Sequence, residues 1–278
     1  MDELNLLDQL AVRRNFDALA PRYAEVEGLD AEVRERLLSR LDLIKLQPNR
    51  VLDLGSGIGD CAKALARRYK AAQIVELDIA PMMLHQSLSR DRRLFSKRVR
   101  VAASAEQIPL LPGSFGLVYA NLTLAWCSVE KVLRETKLVL QPGGLVAMVT
   151  LGPDTLREVA SAWSAVDDKP HVHSFMDMHD IGDLLSNLGY QDIVLDSERI
   201  QLTYPTTERL LSDLRQLGTG NQHYLRRRTL TGQLRLSAFK KTLLEQANSP
   251  QISITCELVY LHAWSPERSG VAVPRVTL

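Results

Sequence analysis

Three glycines at alternate positions, set directly behind a short apolar run, constrain this chain more than any other feature. The stretch is Val51-Leu52-Asp53-Leu54-Gly55-Ser56-Gly57-Ile58-Gly59. Val51, Leu52 and Leu54 read as a buried parallel strand. The run Cys61–Tyr69 that follows at once reads as a helix. Glycine between the two permits a tight strand-to-helix turn and lets the backbone approach a ligand. No lysine follows in the manner of a phosphate loop, and the spacing is one residue shorter than G-x-G-x-x-G. Asp53 is unusual at a buried position. An unpaired carboxylate there would be costly, so it is expected to hold the loop or to meet a ligand's ammonium.

A second strand, Ile74–Asp78, ends in an acid. Asp78 falls about 20 residues past the glycines, where a doubly wound fold places the carboxylate that grips ribose hydroxyls. Glycine loop, helix, strand and terminal acid in this order resemble the class I S-adenosylmethionine (SAM) methyltransferases.

The remaining chain repeats the alternation. Residues 3–45 read as two helices broken near Gly28, with Phe16, Leu19, Tyr23 and Val26 at helical spacing and Pro21 interrupting. The second helix, Ala31 to Ile44, carries Val33, Leu37, Leu41 and Ile44 on one face. Pro81 opens a helix after Asp78. The basic stretch Arg90, Arg92, Arg93, Lys97, Arg98, Arg100 reads as a solvated helix end and loop. Val99–Ala103, Phe115–Asn121 and Leu145–Leu151 read as strands three to five, with a helix over Val129–Leu140. Strands alternating with helices predict a parallel α/β sheet with its ligand beyond the carboxyl ends of the strands.

Composition narrows the function classes. A net charge of +1 gives no global attraction to nucleic acid or to an anionic membrane. No apolar run approaches bilayer length. The three cysteines, Cys61, Cys127 and Cys256, are scattered and read as reduced core thiols of a cytoplasmic protein. His171, His173, Asp177, His179 and Asp180 crowd together but lack recognised metal-ligand spacing; Asp177 reads instead as the N-cap of the helix running to Gly189. No metal is expected.

The last two strands, Ile193–Tyr204 and Ile252–Trp264, are separated by residues 205–250, far more than a hairpin loop. Strand six should end on the ligand face, so this insert should overhang the active site. The expected organisation is a single domain: an N-terminal helical lid (1–45), a Rossmann-like core (46–204 and 251–264), a helical insert (205–250) and a loose tail (265–278).

With these residues in hand, the chain resembles the malonyl-[acyl-carrier protein] O-methyltransferases of biotin synthesis. The resemblance runs nearly end to end. It includes Phe16-Asp17-Ala18 leading to Tyr23, Val51–Gly59, Leu77–Met82, Asn121-Leu122 leading to Trp126-Cys127, Gly152-Pro153-Asp154-Thr155-Leu156, Phe175–Asp183 and Leu230-Thr231-Gly232. The last three are not general methyltransferase motifs. A sister branch includes a complex I assembly factor that hydroxylates an arginine, and a non-catalytic SAM-binding protein is a third possibility. The chain departs from the family's common residues at Ser104, Gly116 and Ala125, where Asp, Asp and Gln are usual.

The resemblance implies a seven-stranded, Rossmann-like class I fold with helices on both faces. It implies SAM as cofactor, held by Asp53, Gly55, Gly57, Gly59, Asp78, Ile79, Ser104, Ala105 and Asn121. Tyr23 is implied to line the active site from the lid. The substrate is implied to be malonyl-acyl carrier protein, an acidic partner. Arg226, Arg227 and Arg228 of the insert, with Lys240 and Lys241 nearby, are the candidates to meet the malonyl carboxylate or the carrier.

Overall fold

The computed structural model describes residues 7–26, 28–91, 96–216, 221–227, 229–247 and 251–267. Of the residues singled out above, Arg92, Arg93, Arg228 and the tail beyond residue 267 lie outside these.

The chain enters through α1 (Gln9–Leu19), a tight turn over Ala20–Arg22, α2 (Tyr23–Val26) and α3 (Gly28–Arg40). Asp8 caps α1 by accepting from the Ala11 N–H at 3.1 Å. The first expected helix is thus divided at Pro21, α3 begins at Gly28, and it gives way to a tighter turn at Leu41 instead of running to Ile44.

A seven-stranded sheet follows, in the order β3-β2-β1-β4-β5-β7-β6. Its strands are β1 (Arg50–Leu54), β2 (Gln73–Asp78), β3 (Arg98–Ala102), β4 (Phe115–Asn121), β5 (Leu140–Leu151), β6 (Gln191–Tyr204) and β7 (Ile252–Trp264). The first five pair in parallel, and β7 runs antiparallel between β5 and β6. Strand β6 therefore points the same way as the central set, as the sequence led us to expect. Between strands lie α4 (Asp60–Arg68), α5 (Pro81–Arg90), α6 (Val129–Val139), α7 (Arg157–Ser164), α8 (Met178–Asn187), α9 (Thr207–Gln216) and α10 (Gln233–Gln246).

Alternation along the strands divides the core. Leu52 and Leu54 of β1 pack with Val118, Met148, Leu133 and Ile181 on the α6 and α8 face. Val51 packs with Leu37, Leu65, Tyr119 and Ala147 on the α3 and α4 face. Asp53 shares the parity of Val51, so it points to this second layer. A third cluster belongs to the insert: Leu210, Phe239 and Leu243 close on Val159, Tyr204 and Ile254. Trp163 stacks on Phe239 with ring centroids 4.4 Å apart.

Two of the sequence's distinctive residues find packing reasons. A Cβ on Gly116 would sit 2.9 Å from the Pro48 Cβ, so the common aspartate has no room there. The Gly152–Leu156 motif clamps β5 to β7. The Asp154 N–H donates to Glu257 Oε2 at 2.9 Å, the Leu156 N–H donates to the Thr255 carbonyl at 2.8 Å, and a Cβ on Gly152 would meet the Glu257 carboxylate.

Candidate active site

Beyond the carboxyl ends of β1, β2 and β4 lies a cavity of about 1020 Å³, its open mouth included. The glycine loop forms its floor. Gly55, Gly57 and Gly59 all take positive φ, of 63°, 53° and 84°, which only glycine adopts at low cost. A Cβ on Gly55 would crowd Thr123, whose hydroxyl donates to the Leu54 carbonyl at 2.8 Å. Gly55 and Gly57 line the cavity, as do Asp78, Ile79, Ser104, Ala105 and Asn121. Both Asp78 oxygens are already engaged: Oδ2 accepts from the Gly57 N–H at 2.9 Å and Oδ1 from the Ala80 N–H at 2.8 Å. Burial outweighs these bonds and pushes the carboxyl up to about 6.

Two expected cofactor residues do not reach the cavity. Asp53 is 1% exposed and lies behind the loop, in the layer of Cys61 and Tyr119. Neither of its oxygens finds a hydrogen-bond partner. Burial, then the nearby Glu76, drives its carboxyl well above the ordinary range. Gly59 is also off the ligand side. A Cβ there would strike Arg98 and Ser87. Its carbonyl accepts from Arg98 Nη2 at 3.1 Å, so Gly59 is small to let a buried guanidinium dock on the loop.

That guanidinium corrects the reading of the basic stretch as solvated. Arg98, 6% exposed at its side chain, pairs with the fully buried Glu76 at 2.7 Å and donates to Ser87 Oγ at 2.8 Å. Arg100 joins Asp91 at 2.9 Å. Arg90 forks onto Asp60, at 2.8 and 3.2 Å. These arginines fasten the glycine loop, α4, α5 and the β2–β3 pair together.

The cavity's roof is the N-terminal segment. Gln9, Val12, Phe16 and Tyr23 line it. Phe16 packs edge-on against Trp126 at 5.3 Å, and Gln9 Nε2 donates to the Trp126 carbonyl at 2.9 Å. Tyr23 therefore stands at the cavity, as expected of a lid residue. Its hydroxyl donates to Asp30, a lining residue that sequence reasoning passed over. A smaller annex of about 340 Å³ continues past Tyr23 and Asp30 to Arg34, Ser56, Asp60 and Cys61.

The insert closes the roof from the far side. Leu7 bridges His223, and the Asp8 N–H donates to the Gln222 carbonyl at 3.1 Å. Arg226 Nη2 reaches Asp8 Oδ2 at 3.3 Å, and its Nη1 donates to the His223 carbonyl at 3.1 Å. The Gln222 N–H donates to His173 Nε2 at 2.9 Å. Burial, aided by His223, holds the His173 ring down to about 4, which keeps that nitrogen an acceptor. Arg227 bonds Thr229 Oγ1 at 2.7 Å and lies 3.9 Å from Asp167. Neither Arg226 nor Arg227 lines the cavity; Arg226 is committed to the latch between insert and lid, and Arg227 faces Asp167 beyond α7. Lys240 pairs with Glu208 at 2.6 Å.

The histidine-rich stretch is likewise spent on structure. His171 stacks on Trp163 at 4.0 Å and bonds Asp167 at 2.8 Å. Asp177 caps α8 through the His179 N–H. Among the described residues no cluster of three His, Cys, Asp or Glu side chains could hold a metal ion. Cys61, Cys127 and Cys256 are buried, and none forms a disulfide. Among the described residues no helix is long and apolar enough to cross a membrane.

The site fits a nucleoside-bearing cofactor: a carboxylate at a strand end, glycine amides beside it, and a mostly apolar slot running under an aromatic lid. Comparison with known proteins agrees. Residues 52–148 match the sequence family described as "Methyltransferase domain". The fold is similar to that of the YcgJ protein from Bacillus subtilis, with a TM-score of 0.59 at 16% identity over 83% of this chain and 98% of that one. It is also similar to Haemonchus contortus phosphoethanolamine N-methyltransferase 2 in complex with S-adenosyl-L-methionine, with a TM-score of 0.54 at 18% identity over 84% and 52% of the two chains. Nearly end to end, the chain is 40% identical to the malonyl-[acyl-carrier protein] O-methyltransferase of Laribacter hongkongensis, over 96% of this chain and 92% of that protein. It is equally 40% identical to the Halorhodospira halophila protein of the same name, over 95% and 91%. Scaffold, cavity and full-length likeness together place this chain in the malonyl-[acyl-carrier protein] O-methyltransferase family.

Proposed function

We propose that the chain transfers the methyl group of SAM to the free carboxylate of malonyl-acyl carrier protein, giving the methyl ester that enters biotin synthesis. The observation that carries this reading is the 40% likeness to enzymes of that name over 96% of the chain, a span that takes in the lid and insert as well as the glycine loop.

SAM, when bound, supplies a methyl group on a positively charged sulfur. Asp78 would hold the ribose hydroxyls, with Gly57 and Ala80 amides fixing its orientation. Ser104 and Ala105 would flank the base, with Ser104 Oγ offering an acceptor in place of the family's usual acid. Arg34, in the annex, brings the guanidinium that an α-carboxylate needs.

The acceptor needs no base. A carboxylic acid has a pKa near ~4 and is already ionised at neutral pH. The chain's task is to align acceptor oxygen and methyl carbon and to exclude water. Among the described residues, the main cavity's lining holds no Lys or Arg. The malonyl carboxylate would therefore meet no fixed cation of the lining that could bind its ground state too tightly.

The carrier itself would approach over the insert, which closes the lid. Supporting this, the insert presents Tyr224, Leu225, Leu230, Leu234 and Lys241 exposed. The reading includes a cytoplasmic location, in keeping with three buried cysteines that form no disulfide.

Intact-mass spectrometry of malonyl-carrier protein incubated with SAM tests the proposal. A gain of one methylene's mass is expected, and no gain on carrier protein that lacks the malonyl group. An unchanged carrier mass with SAM bound would overturn it.

A further inference from the structure

The main cavity is lined by two acids, Asp78 and Asp30, and among the described residues by no basic side chain. Asp78 is explained by the ribose. Asp30 is not. An anionic malonyl group would be repelled by it, so it has no use on the substrate side.

Its setting is built, not incidental. Asp30 lies in the first turn of α3, whose path is tied to the end of β4 by Asn121 Nδ2 donating to the Asp30 carbonyl at 3.1 Å. The Tyr23 hydroxyl donates to the Asp30 carboxylate. A phenol has one proton to give. With that proton committed to Asp30, the Tyr23 oxygen offers only lone pairs to whatever fills the cavity. Burial raises the Asp30 carboxyl, against the lowering influence of Tyr23 and Arg34. A cation brought beside it would favour its ionised form further.

Resting on the reading of this cavity as a SAM site, we propose that Asp30, with Tyr23 as its relay, is the counter-charge for the cofactor's sulfonium. The pair would make the site prefer the charged cofactor to the neutral thioether left after methyl transfer. The sulfonium loses its charge as the methyl leaves, so this attraction fades across the reaction. Asp30 therefore contributes to loading SAM and to releasing S-adenosylhomocysteine, and not to lowering the barrier itself.

Calorimetry on the purified full chain tests this without turnover. Three ligands are titrated: SAM, S-adenosylhomocysteine, and sinefungin, which carries an amine where SAM has its methylsulfonium. All three share the same ribose and α-amino acid groups. The wild-type protein should bind SAM and sinefungin more tightly than S-adenosylhomocysteine. In Asp30→Asn the two cationic ligands should weaken by about tenfold or more, while S-adenosylhomocysteine stays within about twofold. Tyr23→Phe should narrow the same preference by less. Equal weakening of all three ligands in Asp30→Asn would overturn the proposal, since it would assign Asp30 to the shared ammonium or to scaffold. No preference for the cations in the wild-type protein would overturn it too, even if Asp30→Asn does not fold. Failure of the wild-type protein to bind any of the three would instead strike the SAM reading, and this proposal with it.

Discussion

The floor and the roof of the cavity enclose one ligand by opposite means. The floor is made of near neighbours in sequence, Gly55 to Gly59 and Glu76 to Asp78, fixed by backbone amides and by a buried ion pair. The roof is assembled from distant parts. Its latch joins Asp8 to Arg226, 218 positions apart, and both side chains are partly exposed, at 26% and 20%. Buried, short-range architecture suits a surface that must already be in place when the ligand arrives. Exposed, long-range contacts suit a part that must open to admit and release it. The difference between the two is therefore a difference in free energy, and it can be probed from either side.

The largest effect should come from the floor. Arg98→Ala removes the closer of two guanidiniums from Glu76, which is 0% exposed at its side chain, and leaves Arg100 at 3.4 Å, in a neighbourhood that already holds the buried Asp53. Breaking a buried pair from one side costs about 3–5 kcal/mol. Urea denaturation followed by circular dichroism should register a loss of that size. A loss below about 1 kcal/mol would mean that the floor is no better fastened than the roof.

Asp78 sharpens the comparison through pH. Its carboxyl sits at about 6 in the folded protein, above its ordinary value, because burial exceeds the help of the Gly57 and Ala80 amides. The sign follows. Without ligand, the contribution of this group to stability is greatest below pH ~4 and is lost as the pH rises towards 6. Ribose hydroxyls need the ionised form as acceptor, so SAM affinity should be full above pH 6 and should fall as the pH drops through it. Asp78→Asn should weaken SAM by roughly 1–3 kcal/mol at neutral pH and flatten this pH profile. Thermal-shift titration with SAM between pH 5 and 8 reads both. A wild-type profile as flat as that of the variant would remove Asp78 from the ribose.

This same contrast decides what was legible in the sequence. The floor is written locally: alternating apolar residues, glycines at a spacing that forces a turn, and an acid at the next strand's end are each readable within a few residues. The direction of β6 and the N-cap at Asp177 were readable for the same reason. Asp53 and Gly59 fall outside the cavity lining because strand parity and a neighbouring arginine, not chain position, decide which side of the loop a residue serves. Arg98 and Arg100 look like solvated charge in one dimension. Only the pairing of β2 with β3 sets them against Glu76 and Asp91. The latch carries no local pattern at all, since Arg226 is made structural by Asp8 from the far end of the chain. Asp30 lies seven residues beyond Tyr23 but on the next helix, α3 after α2, so no single helical period links the pair.

The smallest effect in stability belongs to the latch, and there the opening of the lid is the better observable. Asp8 does two things: Oδ1 caps α1 and Oδ2 takes Arg226. Replacing it with alanine would mix the two, since an N-cap alone is worth about 0.5–2 kcal/mol. Asp8→Asn keeps a capping oxygen and discharges the pair. It should lower global stability by less than about 1 kcal/mol, as should Arg226→Ala, because partly exposed pairs are worth little. Hydrogen exchange should nevertheless accelerate across residues 9–19 in both variants, while β1 and β2 exchange as slowly as before. The double variant should add little to either single one, since the two side chains share one interaction. If α1 exchanges no faster in Arg226→Ala, the latch does not hold the lid. Arg226 would then return to the carrier-facing surface on which its sequence had placed it.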